Sequence, residues 1–240
     1  VISVGPGVTR FKVGDAVFGS AKIKNGGALG EAVIAPETFL ARKPGSVSFE
    51  EAACLGTPGI TAWNGLVDKA NLQAGAKVLI NGCTGGVGES AGQIARMLGA
   101  EVSGSCSAQQ KGRAEQLGVT QVYDYRTTDI SKIADRFDVV YDTAGTMTVA
   151  AGLGLLRKGG VYLDINPTPG KFIRAVFDRR LKPIVCTARN DILDGLARSA
   201  SDGKLRLPVA LTVPLENAIA LVTALEQGRK LNGKAIVSMP

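Results

Sequence analysis

Gly82, Gly85, Gly86 and Gly88 stand directly after the apolar run Lys77-Val78-Leu79-Ile80-Asn81 and directly before a stretch where Ala91, Ile94, Ala95 and Leu98 recur at i, i+3, i+4 and i+7. Strand, glycine turn and helix in that order suit the binding of a phosphate. Glycine lets the turn be tight and lets the backbone approach a pyrophosphate, whose charge is met by free N–H groups and the positive end of the helix dipole. The G-x-G-x-x-G spacing is not met literally, so the flanking strand and helix carry the reading as much as the glycines do. A P-loop is excluded because Gly88 is followed by Glu89 and Ser90 rather than by Lys and Ser or Thr. A Tyr-x-x-x-Lys proton-transfer pair is absent too: the residues four beyond Tyr123, Tyr125, Tyr141 and Tyr162 are Thr127, Asp129, Gly145 and Asn166.

A dinucleotide reading makes the end of the next strand informative, because an acid there holds a ribose 2′-OH and repels a 2′-phosphate. This chain has Ser105-Cys106-Ser107, then Lys111 and Arg113, with Tyr125-Arg126 after the third strand. Hydroxyls and cations suit a phosphate dianion, and the expected cofactor is NADP. Gly85, Gly86 and Val87 are expected at the pyrophosphate, and Ser107, Lys111, Tyr125 and Arg126 around the 2′-phosphate.

These residues need elements to hold them. From residue 75 onward short β-branched runs alternate with amphipathic stretches, the pattern of βαβ units and a parallel sheet. Strands are expected at 77–81, 101–105, 121–123, 137–141 and 161–165, and helices from just after Gly88 to a glycine stop at Gly99 and near 109–117, 146–156, 190–201 and 215–227. The fold class is α/β, a Rossmann doubly wound parallel sheet. Residues 1–53 differ, with Gly5-Pro6-Gly7, Gly26-Gly27 and Pro44-Gly45 punctuating short runs such as Ala16-Val17-Phe18 and Ala32-Val33-Ile34, which suggests small β structure with turns.

Composition narrows the chemistry. The 240 residues include no histidine, which removes Ser-His and Cys-His triads and the commonest metal ligand. Cys54, Cys83, Cys106 and Cys186 form no C-x-x-C pair, so no metal site is expected, and four scattered cysteines in a chain this long favour a reducing cytoplasm. No apolar run approaches the roughly 20 residues of a membrane span. The net charge is +7, and nine cations between 171 and 206 face four acids. Solvated helix faces account for that excess better than nucleic-acid binding, since few aromatics interleave with the cations.

At this point the chain resembles the zinc-independent NADPH:quinone oxidoreductases of the medium-chain dehydrogenase/reductase superfamily. Phe11-Lys12-Val13-Gly14-Asp15-Ala16-Val17-Phe18-Gly19 looks like the family's F-x-V-G-D-x-V-x-G turn, and Ala28-Leu29-Gly30-Glu31-Ala32-Val33 like its G-x-x-A-E-Y strand, with Gly30 and Val33 departing from it. Pro58-Gly59-Ile60-Thr61-Ala62-Trp63 resembles the helix start G-x-T-A, and Gly85-Gly86-Val87-Gly88 the nucleotide turn. The resemblance implies a partial GroES-like β-rich catalytic domain from residues 1–53, an NADP-binding domain from 54–204 and a return to the catalytic domain at 205–240. It implies a homodimer, a further stretch of chain ahead of Val1, and no structural zinc lobe, because only Ser20–Gly27 stands where that lobe would be. Thr61, Thr143 and Ala144 are implied beside the nicotinamide. The implied reaction is hydride transfer to a small quinone or activated enone. The implied alternatives are a zinc-free alcohol or enoyl-thioester reductase and a protein that binds NADPH without turnover. No residue is a convincing general acid.

Overall fold

The protein is described by a computed structural model that covers residues 1–21, 29–229 and 231–239. It forms two compact units, one of Val1–Ile60 with Ala188–Pro240, the other of Thr61–Thr187. In chain order, β1 (Val17–Gly19) and β2 (Leu40–Arg42) pair antiparallel, with Val17 opposite Arg42. Helix α1 (Phe49–Trp63) starts in a capping box: Glu51 N donates to Ser48 Oγ at 3.1 Å and Ser48 N to Glu51 Oε2 at 2.9 Å.

The middle unit alternates strand and helix as the periodicity predicts: β3 (Lys77–Asn81), α2 (Gly86–Met97), β4 (Glu101–Cys106), α3 (Lys111–Gln116), β5 (Gln121–Asp124), β6 (Phe137–Asp142), α4 (Val149–Gly154), β7 (Leu156–Asp164), α5 (Pro169–Phe177) and β8 (Leu181–Pro183). The six strands are all parallel in the order β5-β4-β3-β6-β7-β8. Val78, Leu79 and Ile80 are all fully buried, as expected of a strand covered on both faces. Ala91, Ile94 and Ala95 bury the inner stripe of α2. Gly99, at φ +81°, ends that helix in a Schellman motif, its N–H on Arg96 O at 2.9 Å and Ala100 N–H on Ala95 O at 3.0 Å. One core cluster gathers Leu79, Val140, Leu155 and Tyr162.

Several boundaries differ from the sequence reading. The helix expected at 146–156 is shorter, because the Thr148 hydroxyl caps it by accepting from Ala151 N at 3.2 Å and the chain is already β7 at Leu156. The stretch 109–117 is a 3₁₀ turn, Ala108–Gln110, followed by α3. Helix α5 and strand β8 were not anticipated, although Thr168 before Pro169 is a helix-start signal, and its hydroxyl does cap Lys171 N at 3.4 Å.

The other unit closes with α6 (Asn190–Ser201), β9 (Val209–Pro214), α7 (Ala218–Glu226) and β10 (Lys234–Ser238), in which β9 and β10 pair parallel. Residues 215–217 make a 3₁₀ turn ahead of α7. The run Ala32-Val33-Ile34 is no strand; it has no pairing partner among the described residues, and Ile34 is 91% exposed. Ala28 and most of Ser20–Gly27 lie outside the described residues. The units divide at 60/61 and 187/188, whereas the sequence reading divides at 53/54 and 204/205. The reason is α6, which packs with the chain's start. Leu196 sits where a Cβ on Gly59 would come within 2.9 Å, and Arg10 Nη2 reaches both Asp194 carboxylate oxygens at 3.1 Å. No helix among the described residues is long and apolar enough to cross a membrane.

Candidate cofactor site

β3 and β6 are neighbours whose crossovers leave to opposite sides of the sheet, so a crevice opens at their carboxyl ends. The glycine turn lies there. Gly82 has φ +82°, and its N–H reaches Ser105 O and Ser105 Oγ, both at 3.1 Å. Gly85 N–H then closes on Gly82 O at 3.0 Å, and Gly85 is the N-cap of α2. Gly88 is required for a different reason: a Cβ there would lie 2.1 Å from Gly82 O. The first-turn N–H groups of Gly86, Val87 and Gly88 have no preceding helical carbonyl, and an anion suits them. This turn, with its free N–H groups at the start of α2, fits a dinucleotide pyrophosphate.

Three strand ends are tied together beneath the turn. Ser105 Oγ donates to Asn81 Oδ1 at 2.6 Å, and Asn81 Nδ2 donates to Asp142 Oδ1 at 2.7 Å and Thr146 Oγ1 at 3.0 Å. Asp142, fully buried, accepts from the N–H groups of Gly145, Thr146 and Met147 at 3.0, 3.3 and 2.8 Å. Asp164, also fully buried, pairs with Lys171 Nζ at 2.6 Å. The Tyr162 hydroxyl stands 3.4 Å from each of these two carboxylates, and burial, then the two charges, pushes its pKa up. The sequence reading missed Asn81 and Asp164. Their signal was available, each being a lone polar residue closing an apolar strand at the sheet's carboxyl edge.

A crevice of about 810 Å³ is lined by Asn81, Gly82, Ser105, Tyr125, Ala144 and Thr146, among others. A smaller hollow of about 290 Å³ beside the end of β4 is lined by Ser107, Lys111, Asp124 and Thr127 with neighbouring residues. The structure thus places Gly82, Tyr125 and Ala144 on one cavity and Ser107 and Lys111 on the next, with Thr128 lining both. Lys111 is 62% exposed and only 3.8 Å from Glu115. Arg126 lies over the Tyr125 ring at 5.8 Å. Thr143 turns its hydroxyl away to the strand, donating to Asn81 O at 2.7 Å. Thr61 is buried in α1, where its carbonyl accepts from Tyr141 OH at 2.7 Å, and it lines neither cavity.

Arg113, grouped with Lys111 as a phosphate cation by the sequence reading, is engaged elsewhere. Its Nε and Nη2 hold the Glu89 carboxylate at 2.6 and 3.0 Å. Glu89 is 3% exposed, in the first turn of α2, and this partner raises the Arg113 pKa. Such a pair adds little net stability, but losing one partner strands a buried charge at about 3–5 kcal/mol. Arg113 is therefore committed to neutralising Glu89. The Cys83 and Cys106 thiols, side by side and buried, are pushed up mainly by burial and are poor nucleophiles.

Among the described residues no group of three or more His, Cys, Asp or Glu side chains converges as a metal site.

Comparison with known proteins agrees with this geometry. The family model described as "Zinc-binding dehydrogenase" matches residues 117–237. A mycocerosic acid synthase-like polyketide synthase of Mycolicibacterium smegmatis is 30% identical over the whole of this chain, which spans 12% of that protein's length. The quinone oxidoreductase of Coxiella burnetii superposes with a TM-score of 0.86 at 27% identity, over 98% of this chain and 75% of that one. The CurK enoyl reductase superposes with a TM-score of 0.77 at 25% identity, over 100% of this chain and 76% of that one. With a parallel sheet, a glycine turn at its switch point and these relatives, the chain belongs to the zinc-binding dehydrogenase family, as a quinone-oxidoreductase-like member of the medium-chain dehydrogenase/reductase superfamily.

Proposed function

We propose that this protein is an NADPH-dependent reductase that delivers hydride to an electron-poor C=C, in a quinone or an activated enone, without zinc. The fold implies a nicotinamide cofactor, and the observation that favours NADPH is the end of β4. No acid stands at Ser105-Cys106-Ser107, and Lys111 is exposed on the adjoining hollow, where among the described residues its ion-pair partner is the Glu115 carboxylate at 3.8 Å. When bound, the dinucleotide supplies the hydride, and the chemistry is its own. The chain's part is to bind and orient. Gly86, Val87 and the α2 N-terminus would take the pyrophosphate. Ser107, Lys111, Tyr125 and Arg126 would surround the 2′-phosphate, and the backbone of Thr143 and Ala144 would border the nicotinamide end. The sequence holds no histidine to polarise a carbonyl, and the acceptor in this reading is already electron-poor.

The unit built from both chain ends is read as the GroES-like catalytic domain, and the setting as the cytoplasm. A homodimer is supported by α5, which exposes Phe172, Ile173, Val176 and Phe177 next to the edge strand β8. The test is NADPH oxidation, with 1,4-benzoquinone and with a short enone, and titration of NADPH against NADH. Tighter binding of NADH would overturn the cofactor assignment, and absence of turnover with both acceptors would overturn the substrate class. The likeness to CurK favours one second reading, an enoyl-thioester reductase, which turnover of a crotonyl thioester but not of the quinone would establish.

A further inference from the structure

We infer that Asn81 is a positioning residue that locks the glycine turn to the loop 143–147 and thereby sets how tightly the crevice holds a dinucleotide. The inference rests on the cofactor reading above and adds a residue to it. The hydrogen bonds form one chain with a fixed polarity. Gly82 N–H donates to Ser105 Oγ, so the Ser105 hydroxyl proton must go on to another acceptor, and Asn81 Oδ1 takes it at 2.6 Å. At the other end, the Asp142 carboxylate accepts three backbone N–H groups of the loop and a further side-chain donor. Asn81 Nδ2 is that donor, at 2.7 Å, and it also reaches Thr146 Oγ1 at 3.0 Å. The Asn81 amide accepts on the β4 side and donates on the β6 side. Asn81 is 6% exposed and lines the crevice, so the two walls that meet the dinucleotide are held in register through its side chain. A leucine or alanine would cut both links. An aspartate would keep the first and replace the second by two facing carboxylates, which share a proton at low pH and repel once both ionise.

Among the described residues, the charged and titratable groups around Asn81 and Asp142 come from several elements. Asp142 comes from β6, Tyr162 and Asp164 from β7, Lys171 from α5, Cys83 from the turn and Cys106 from β4. Lys171 is 2.6 Å from Asp164 and offsets its charge, while Asp142 is met by N–H and O–H dipoles. An ionised aspartate at 81 would therefore meet an uncompensated neighbour.

The experiment compares N81D and N81A with the unaltered protein, titrating NADP⁺ and NAD⁺ by calorimetry between pH 5.5 and 8.5. The unaltered protein, run alongside, removes the 2′-phosphate's own titration. Expected is a loss of roughly ten-fold in affinity for both dinucleotides in N81A at every pH, the scale of one or two buried hydrogen bonds. N81D should bind within about three-fold of the unaltered protein at pH 5.5 and lose roughly ten-fold or more by pH 8.5. A residue that merely supported the fold would give no such pH signature. Hydrogen exchange without any cofactor provides the second arm: protection of the Gly145, Thr146 and Met147 amides should fall in N81A and, at high pH, in N81D. Should N81D fail a melting check, N81S takes its place in the exchange arm. Unchanged loop protection, or an N81D profile parallel to the unaltered protein's, overturns the inference. If the unaltered protein binds neither dinucleotide, the cofactor reading fails, and the exchange arm still judges Asn81.

Discussion

Lys111 carries the discrimination between the two nicotinamide dinucleotides in this reading, because Arg113 is spent on Glu89 and no acid stands at the end of β4. Its ammonium is well exposed and lies 3.8 Å from Glu115, too far for a strong tie, so little is lost in turning to a phosphate. Lys111→Ala should raise the Kd for NADPH roughly ten-fold or more through the lost charge-assisted bond and leave NADH nearly unchanged, as fluorescence titration would read. Equal effects on both would put the 2′-phosphate elsewhere. The glycine turn was legible in the sequence because its geometry depends on a few neighbours along the chain. Arg113 was misjudged because the partner that claims it stands 24 residues away, on another helix.

At the scale of elements, the turn between β3 and α2 leaves no room for change at Gly88. A methyl there would meet the Gly82 carbonyl at 2.1 Å, backbone against backbone, and something must shift. Gly88→Ala should cost about 2 kcal/mol or more of stability, read by denaturant unfolding, and abolish binding of both dinucleotides; retained binding would show that the turn adapts. The link from α5 to β8 makes a second prediction. The Asp178 carboxylate accepts from Arg180 Nη2 at 2.7 Å, from Nε at 2.9 Å and from Arg180 N–H at 3.1 Å, and these bonds, the guanidinium foremost, hold its pKa down at about 2. A depressed carboxylate stabilises above its ordinary pKa of 3.8 and loses that contribution as the pH falls toward 2. Carbon NMR of the carboxyl should show a midpoint near 2, and an Arg180→Ala variant should return it toward the ordinary value.

At the scale of the whole molecule, α5 leaves Phe177 85% exposed beside Val176 at 73% and Ile173 at 63%, on the sheet edge that ends in β8. Exposed apolar area of this kind marks an interaction surface, and a second copy of the chain is the proposed occupant. Phe177→Asp should therefore give a monomer by analytical ultracentrifugation at concentrations where the unaltered protein is a dimer; a monomer in both would refute the proposal. Helix α5 also shows where reading from sequence stops. Its nine residues repeat too briefly to stand out as amphipathic, and its apolar face points outward rather than into the core. By itself the sequence determined the βαβ alternation, the parallel sheet, the glycine turn and the absence of an acid after β4, since each depends on periodicity or on adjacent residues. Only the tertiary structure decided that α6 belongs with the chain's start, that Arg113 serves Glu89, and that Asn81, Ser105 and Asp142 form one chain of hydrogen bonds. Those three residues lie on three strands, 24 and 61 positions from one another, and the strand order β4-β3-β6 alone brings them within bonding distance.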